Sequence, residues 1–211
     1  QQDYQQHRQA GDRLAVSQLR RLDDHRLRNL LRYWLSDICR LTTPDHRHLN
    51  RIIHEVLPAA DDANPVVSWS GGEVRRYRGQ LYAMSPGPKP ATAEAIIPWD
   101  GRQALTLNQQ VLIPHRVKGQ GVNPDLLATH KVSVRFRHGG EKCKPVGRGH
   151  HHSLKKLFQE WGVPPWQREQ VPLLYVGDEI AQIIGYCICE PYQSRPQQEG
   201  LVVTLENGAG H

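Results

Sequence analysis

Cations are the side chains here whose spacing most suggests a chemistry. Between Lys131 and Lys156 the chain sets Lys131, Arg135, Arg137, Lys142, Lys144, Arg148, Lys155 and Lys156 against a single acid, Glu141. Gly139, Gly140, Gly147 and Gly149 loosen the backbone between those charges. Such a cluster, on a flexible loop running into a helix, makes a local field that favours a polyanion, with nucleic acid the foremost candidate. A plain solubilising surface accounts for the charges but not for their gathering about one loop. A second group, Arg75-Arg76-Tyr77-Arg78, crowds three guanidinium groups around an aromatic ring. Arginine forks fit phosphate oxygens and the ring can stack on a base. A solvated strand face would carry the same residues, so both readings stand.

Three other motifs point to weaker chemistry. Ser70-Gly71-Gly72 matches the start of the pyrophosphate-binding loop Ser-Gly-Gly-x-Asp-Ser, but Val74 and Arg75 stand where that loop needs its carboxylate and second hydroxyl. Such a loop also needs a helix start, whereas a strand follows here, so the glycine pair reads as a hairpin turn. His150-His151-His152 are consecutive, and their diverging side chains cannot easily meet on one ion, so no metal site is expected. Exposed, partly cationic rings against phosphate suit them better. Cys187-x-Cys189 is too closely spaced for a zinc knuckle or redox pair, and strand alternation puts both thiols on one face as buried free cysteines. No nucleophile–base pair or carboxylate dyad has convincing spacing, so no catalytic residue is assigned.

The totals set bounds. The chain has 211 residues, formal net charge +6 and 38% hydrophobic residues, enough for one large or two small domains, each with a core. A pI near 9.3 suits RNA, DNA or an anionic surface. No apolar run approaches the ~20 residues that cross a bilayer, and the opening residues lack a signal-peptide core. Four scattered cysteines fit a reducing, cytoplasmic setting. The chain opens at Gln1 and its one methionine is Met84, which suggests a piece of a longer protein.

Two amphipathic helices come first. One runs from Asp23 or Asp24 with Leu27, Leu30, Leu31, Trp34, Leu35 and Ile38 inward, and the other follows Thr43-Pro44 as N-cap and first helical residue. The second buries Leu49, Ile52, Ile53, Val56 and Leu57. They are expected as an antiparallel pair covering a small sheet. That sheet begins as a hairpin of Val66 to Trp69 and Glu73 to Tyr82, with a proline-rich break at 85–90 and strand-like segments at 95–98 and 104–113. Residues 114–129, and Lys118 to Asp125 above all, read as a linker. From His130 a strand with one wet, basic face (Val132, Val134 and Phe136 alternating with Ser133, Arg135 and Arg137) leads through the basic loop. A helix from about Ser153 then stops at Gly162. A hairpin of Leu173 to Val176 and Glu179 to Cys189 follows, and Leu201 to Leu205 offers an edge strand. The expected class is α+β: a helical pair with a small sheet over 1–129, then a small mixed α/β domain with β-sandwich-like sheets over 130–211.

Several segments together carry a resemblance. Val134-Arg135-Phe136-Arg137, Gly139-Gly140-Glu141, Gly147-Arg148-Gly149-His150, Ser153-Leu154-Lys155-Lys156-Leu157-Phe158-Gln159-Glu160, Gly162-Val163-Pro164-Pro165-Trp166 with Arg168, and Pro172-Leu173-Leu174-Tyr175 form an ordered series. That series resembles the C-terminal domain of the bacterial tRNA(Ile)-lysidine synthetase family. The helix pair, Arg75-Arg76-Tyr77-Arg78 and Leu81-Tyr82 resemble its middle, substrate-recognition domain, with the weakest likeness between Pro86 and His130. The resemblance implies an ATP-dependent ligase that joins lysine to the wobble cytidine of the CAU anticodon of a minor isoleucine tRNA. ATP, Mg and L-lysine would be handled by an N-terminal pyrophosphatase domain, so no cofactor is expected in this portion, which alone would be inactive. It further implies a last domain similar to one in phenylalanyl-tRNA synthetase that contacts the acceptor stem, through Arg135, Arg137, Lys142, Lys144, Arg148, Lys155 and Lys156. Arg75, Arg76 and Arg78 would serve the anticodon side. The implied partner is tRNA(Ile), with no DNA and no membrane, and a homodimer is left open. The alternatives are a free-standing, non-catalytic RNA-binding module and a metal-dependent nuclease built on the histidine run.

Overall fold

A computed structural model describes residues 8–9, 12–60, 63–86, 95–107 and 110–207. The chain forms two compact units that divide between Pro88 and Lys89.

The first unit is a helix pair over an antiparallel sheet. Its elements are β1 (Arg8–Gln9), β2 (Arg13–Ala15), α1 (Val16–Leu19), α2 (Asp24–Tyr33), α3 (His46–Arg51), β3 (Val66–Trp69), β4 (Gly72–Tyr77) and β5 (Gln80–Met84). The strands lie in the order β1-β2-β5-β4-β3. Asp23 caps α2 by accepting from the Arg26 N–H at 2.9 Å. For α3 the cap is Asp45 rather than Thr43: its carboxylate accepts from the His48 N–H at 2.9 Å, and Pro44 precedes the helix instead of opening it. Both helices widen into a final π turn, over Trp34–Ile38 and Ile52–Val56. The expected stripes are the buried ones. Leu31, Trp34, Leu35, Leu49, Ile52 and Val56 pack with Val67, Val74 and Leu81 of the sheet.

Ser70-Gly71 makes the hairpin turn between β3 and β4, with Trp69 opposite Gly72. Gly71 has φ +94°, and a Cβ there would lie 2.4 Å from Thr42 Oγ1, so only glycine fits. The segment read as one strand to Tyr82 is two. Arg78 and Gly79, at φ 48° and 71°, turn β4 back onto β5.

The second unit is a three-layer stack. Its elements are β6 (Ile97–Pro98), β7 (Leu105–Leu107), β8 (Gln110–Lys118), α4 (Pro124–Thr129), β9 (Val132–Arg135), β10 (Lys142–Cys143), β11 (His152–Ser153), α5 (Leu154–Glu160), α6 (Pro165–Arg168), β12 (Leu173–Val176), β13 (Glu179–Ile183), β14 (Cys187–Ile188) and β15 (Glu199–Asn207). A central sheet runs β14-β13-β12-β9-β6, a second runs β15-β8-β7, and β10 pairs with β11. In β12 every residue is buried. Leu174 and Val176 join a core with Leu112, Leu201 and Val203 of the second sheet. Leu173 and Tyr175 join another with Leu154, Leu157 and Phe158 of α5. A strand covered on both faces must be apolar throughout, which is why this run does not alternate. The class is α+β with sandwiched sheets, as expected.

The domain boundary differs from the expected one near 129. Residues 114–129 are not a linker: β8 makes a nine-residue antiparallel ladder with β15, and α4 follows it. Gly119 and Gly121 read as looseness in the sequence, but they permit close approach. A Cβ on Gly121 would sit 2.3 Å from the Leu201 carbonyl oxygen. The edge strand expected at 201–205 is the longer β15, and Gly185 divides the expected strand 179–189 into β13 and β14. The break expected at 85–90 lies mostly outside the described residues.

Candidate nucleic-acid interface

The basic loop joins β9 to α5, two elements held in the core. Its glycines, Gly139, Gly140, Gly147 and Gly149, have open space around them. Glu141, the one acid in the run, organises the turn from inside. Its side chain is only 4% exposed and its Oε1 accepts the N–H groups of His138 at 2.6 Å and Gly139 at 2.8 Å. Burial pushes this carboxyl up, but backbone N–H bonds from Gly139, its own residue and His138 outweigh that and hold it below its ordinary value. A depressed folded-state pKa stabilises the turn above the unfolded value of about 4.3, and that stability is lost as pH falls through the folded one. The amide NMR shifts of His138 and Gly139 should therefore titrate together with a midpoint below about 4.3. A midpoint above it would contradict this role.

The expected phosphate ligands divide by what they already hold. Arg135 is 22% exposed; it donates to the Gly177 carbonyl at 2.7 Å, lies 4.3 Å over the Tyr175 ring and pairs with Asp178 at 3.4 Å. Arg137, 19% exposed, faces Glu141 at 3.8 Å. The face of β9 expected to be wet is thus covered, with Ser133 buried. Lys144 pairs with Glu190 at 2.7 Å and Arg148 with Glu160 at 2.9 Å, both half-exposed at the surface. Lys142, Lys155 and Lys156 are exposed and have no acid partner among the described residues. Lys155 and Lys156 lie in the first turn of α5, where Ser153 Oγ accepts from the Lys156 N–H. Cations there oppose the helix dipole at a cost of roughly 0.3–1 kcal/mol each, so the arrangement gives up stability for positive potential.

In the first unit Arg75 pairs with Glu73 at 2.7 Å, on the outer face of β4. Arg78 is exposed at the turn, 5.5 Å from the Tyr77 ring centroid. Arg76 lies inward at 7% exposure and donates to the carbonyls of Leu57, at 2.8 Å, and Ala59. The structure thus assigns Arg76 to the end of the second helix, and it is not placed to meet RNA.

The histidine run is not a uniformly exposed patch. His152 pairs with Cys143 across β10 and β11 and is buried, with His150 stacked on it at 4.3 Å. Burial, then the neighbouring His150 and Arg148, lowers its pKa, so it resists becoming a cation. His150 and His151 stay exposed. Cys143, Cys187 and Cys189 are free thiols that act on one another, which raises the Cys143 pKa and lowers that of Cys187. Among the described residues no group of three or more His, Cys, Asp or Glu is placed to hold a metal ion. No described helix is long and apolar enough to cross a membrane. One surface aromatic was not singled out from sequence. Tyr186, 43% exposed, stacks on Trp161 at 5.2 Å, next in sequence to the Glu160 that holds Arg148.

Residues 14–82 match the family model described as the TilS substrate binding domain, and residues 132–205 the TilS substrate C-terminal domain. A tRNA(Ile)-lysidine synthase of Coxiella burnetii is 40% identical over 94% of this chain and 44% of its own length. One of Methylococcus capsulatus is 34% identical over 90% of this chain and 43% of its own. The chain therefore spans less than half the length of these curated relatives. The crystal structure of a TilS C-terminal domain aligns with a TM-score of 0.38 at 16% identity, over 58% of this chain and 96% of that one, too slight a likeness to carry an argument. With one family domain matched in each of its two units, the chain belongs to the TilS family, as its substrate-binding and C-terminal domains.

Proposed function

We propose that this chain is the tRNA-recognising portion of a tRNA(Ile)-lysidine synthase, the ATP-dependent ligase that attaches lysine to the wobble cytidine of the CAU anticodon in a minor tRNA(Ile). The observation that carries the reading is the trio Lys142, Lys155 and Lys156: exposed, unmatched by acids, and borne on a loop and helix anchored in the core. Half-exposed Lys144 and Arg148 add to that field, and Arg75 and Arg78 offer a separate contact in the first unit.

Phosphate contacts fix the register of a large RNA and contribute salt-dependent affinity without reading sequence. Holding one cytidine where ATP and lysine react lowers the barrier by removing the entropy of encounter. ATP, Mg and lysine are handled by the rest of the full-length enzyme, in the cytoplasm where its tRNA resides. Given tRNA(Ile), ATP, Mg and lysine, the chain alone should bind the tRNA and form no lysidine. Lysidine in the product nucleosides would overturn the division of labour, and absence of binding would overturn the recognition role.

A further inference from the structure

A cavity of about 970 Å³ opens in the second unit, and Lys131 and Arg135, at the start of the basic cluster, are among the residues that line it. Trp99, Leu127 and Val132 give it an apolar floor, and Ile96, 61% exposed, stands at its mouth. Arg102 and Arg116 also line it. Two carboxylates are present, and both are engaged. Asp100 accepts from the Arg102 N–H at 2.9 Å, and Asp125 accepts from the Gln198 side chain at 2.7 Å. Arg116 and Lys131 are exposed and have no acid partner among the described residues.

A concavity of this size suits a small ligand or one extruded group, not the stacked interior of a duplex. Its apolar floor takes a flat ring and its unmatched cations take a phosphate. That pairing of demands is met by a nucleoside monophosphate unit, and single-stranded RNA offers such units with exposed bases and charged linkages. We infer that this cleft, formed where Arg116 of β8 and Lys131 before β9 come together beside Ile96 and Trp99, receives an unpaired nucleotide of the bound RNA. The inference rests on the tRNA-recognition reading and adds a second kind of contact to it. Ile96, Arg102, Arg116 and Lys131 all fall outside residues 14–82 and 132–205, the segments matched to family domains.

The test compares the full chain with its Arg116→Gln, Lys131→Gln double variant on two RNAs, a blunt hairpin and the same hairpin with a single-stranded 3′ overhang. The variant should bind the overhang RNA at least about five-fold more weakly, with the slope of log K against log salt smaller by about 1.4 for two lost single-strand contacts. The blunt hairpin should bind both proteins equally. Equal loss on the two RNAs, or no loss on either, would overturn the assignment. Adenosine 5′-monophosphate should fail to saturate the cleft, and saturation at micromolar concentration would give it to a free nucleotide instead. Binding of the blunt hairpin by the unsubstituted chain reports separately on the tRNA reading. That reading can therefore survive the loss of this one, and the two failures are distinguishable.

Discussion

Arg76→Ala should destabilise the first unit by roughly 2–4 kcal/mol, with little direct effect on the affinity of the second unit for RNA. The second helix ends in a π turn at Val56, and its last carbonyls have no partner within the helix. Arg76 donates to the Leu57 and Ala59 carbonyls from the sheet side, and Arg20 reaches the Leu57 carbonyl at 2.9 Å. Two guanidinium groups thus close the negative end of one helix, where a cation is favoured by the dipole as well as by the hydrogen bonds. Truncation removes charge-assisted bonds and the packing of the arginine stem while leaving the carbonyls under cover. Hydrogen exchange across residues 12–86 measures the cost locally, which a single melting curve for a two-unit chain does not. Unchanged protection together with weakened RNA binding would return Arg76 to the interface and contradict its structural role.

That outcome for Arg76 shows where the sequence was legible. The helix stripes were plain because leucine and isoleucine at steps of three and four have only one buried solution. Strand alternation carried the same information for β4, since Val74 and Arg76 share a face and Val74 is core. The crowding of three arginines near Tyr77 drew attention to charge and away from that alternation. The Arg78-Gly79 turn was hidden because arginine rarely adopts positive φ. For residues 114–129 the obstacle was different. Glycine and proline mark both loose linkers and tight packing, and only the partner strand β15, some ninety residues later, decides between them.

The candidate interface was legible as a composition and not as a set of contacts. Clustering of lysine and arginine identified the loop, but the sequence could not say which cations were engaged. Their partners Asp178, Glu160 and Glu190 come from elements brought close only by folding. Arg135 and Arg137 therefore serve mainly to fix the loop's base, and the exposed lysines are left as its outward charge. Lys131 counted in the basic cluster, but the cleft it shares with Arg116 had no signal in the sequence, since Arg116 lies in a stretch read as linker.

The double substitution Lys155→Ala, Lys156→Ala removes two of the three exposed lysines proposed to hold RNA. Both side chains are exposed, and both lie in the first turn of a helix whose Leu154, Leu157 and Phe158 are fully buried, so the fold should survive their loss and even gain slightly at the helix start. If each lysine holds one phosphate, tRNA(Ile) affinity should fall about ten-fold or more near 0.1 M salt, and the slope of log K against log salt should shrink by about 1.8. The measurement is a tRNA(Ile) binding titration repeated at several salt concentrations, for the chain and for the double variant. A slope smaller by nearly two units is expected if both lysines hold phosphates, and parallel lines of equal slope would show that neither does.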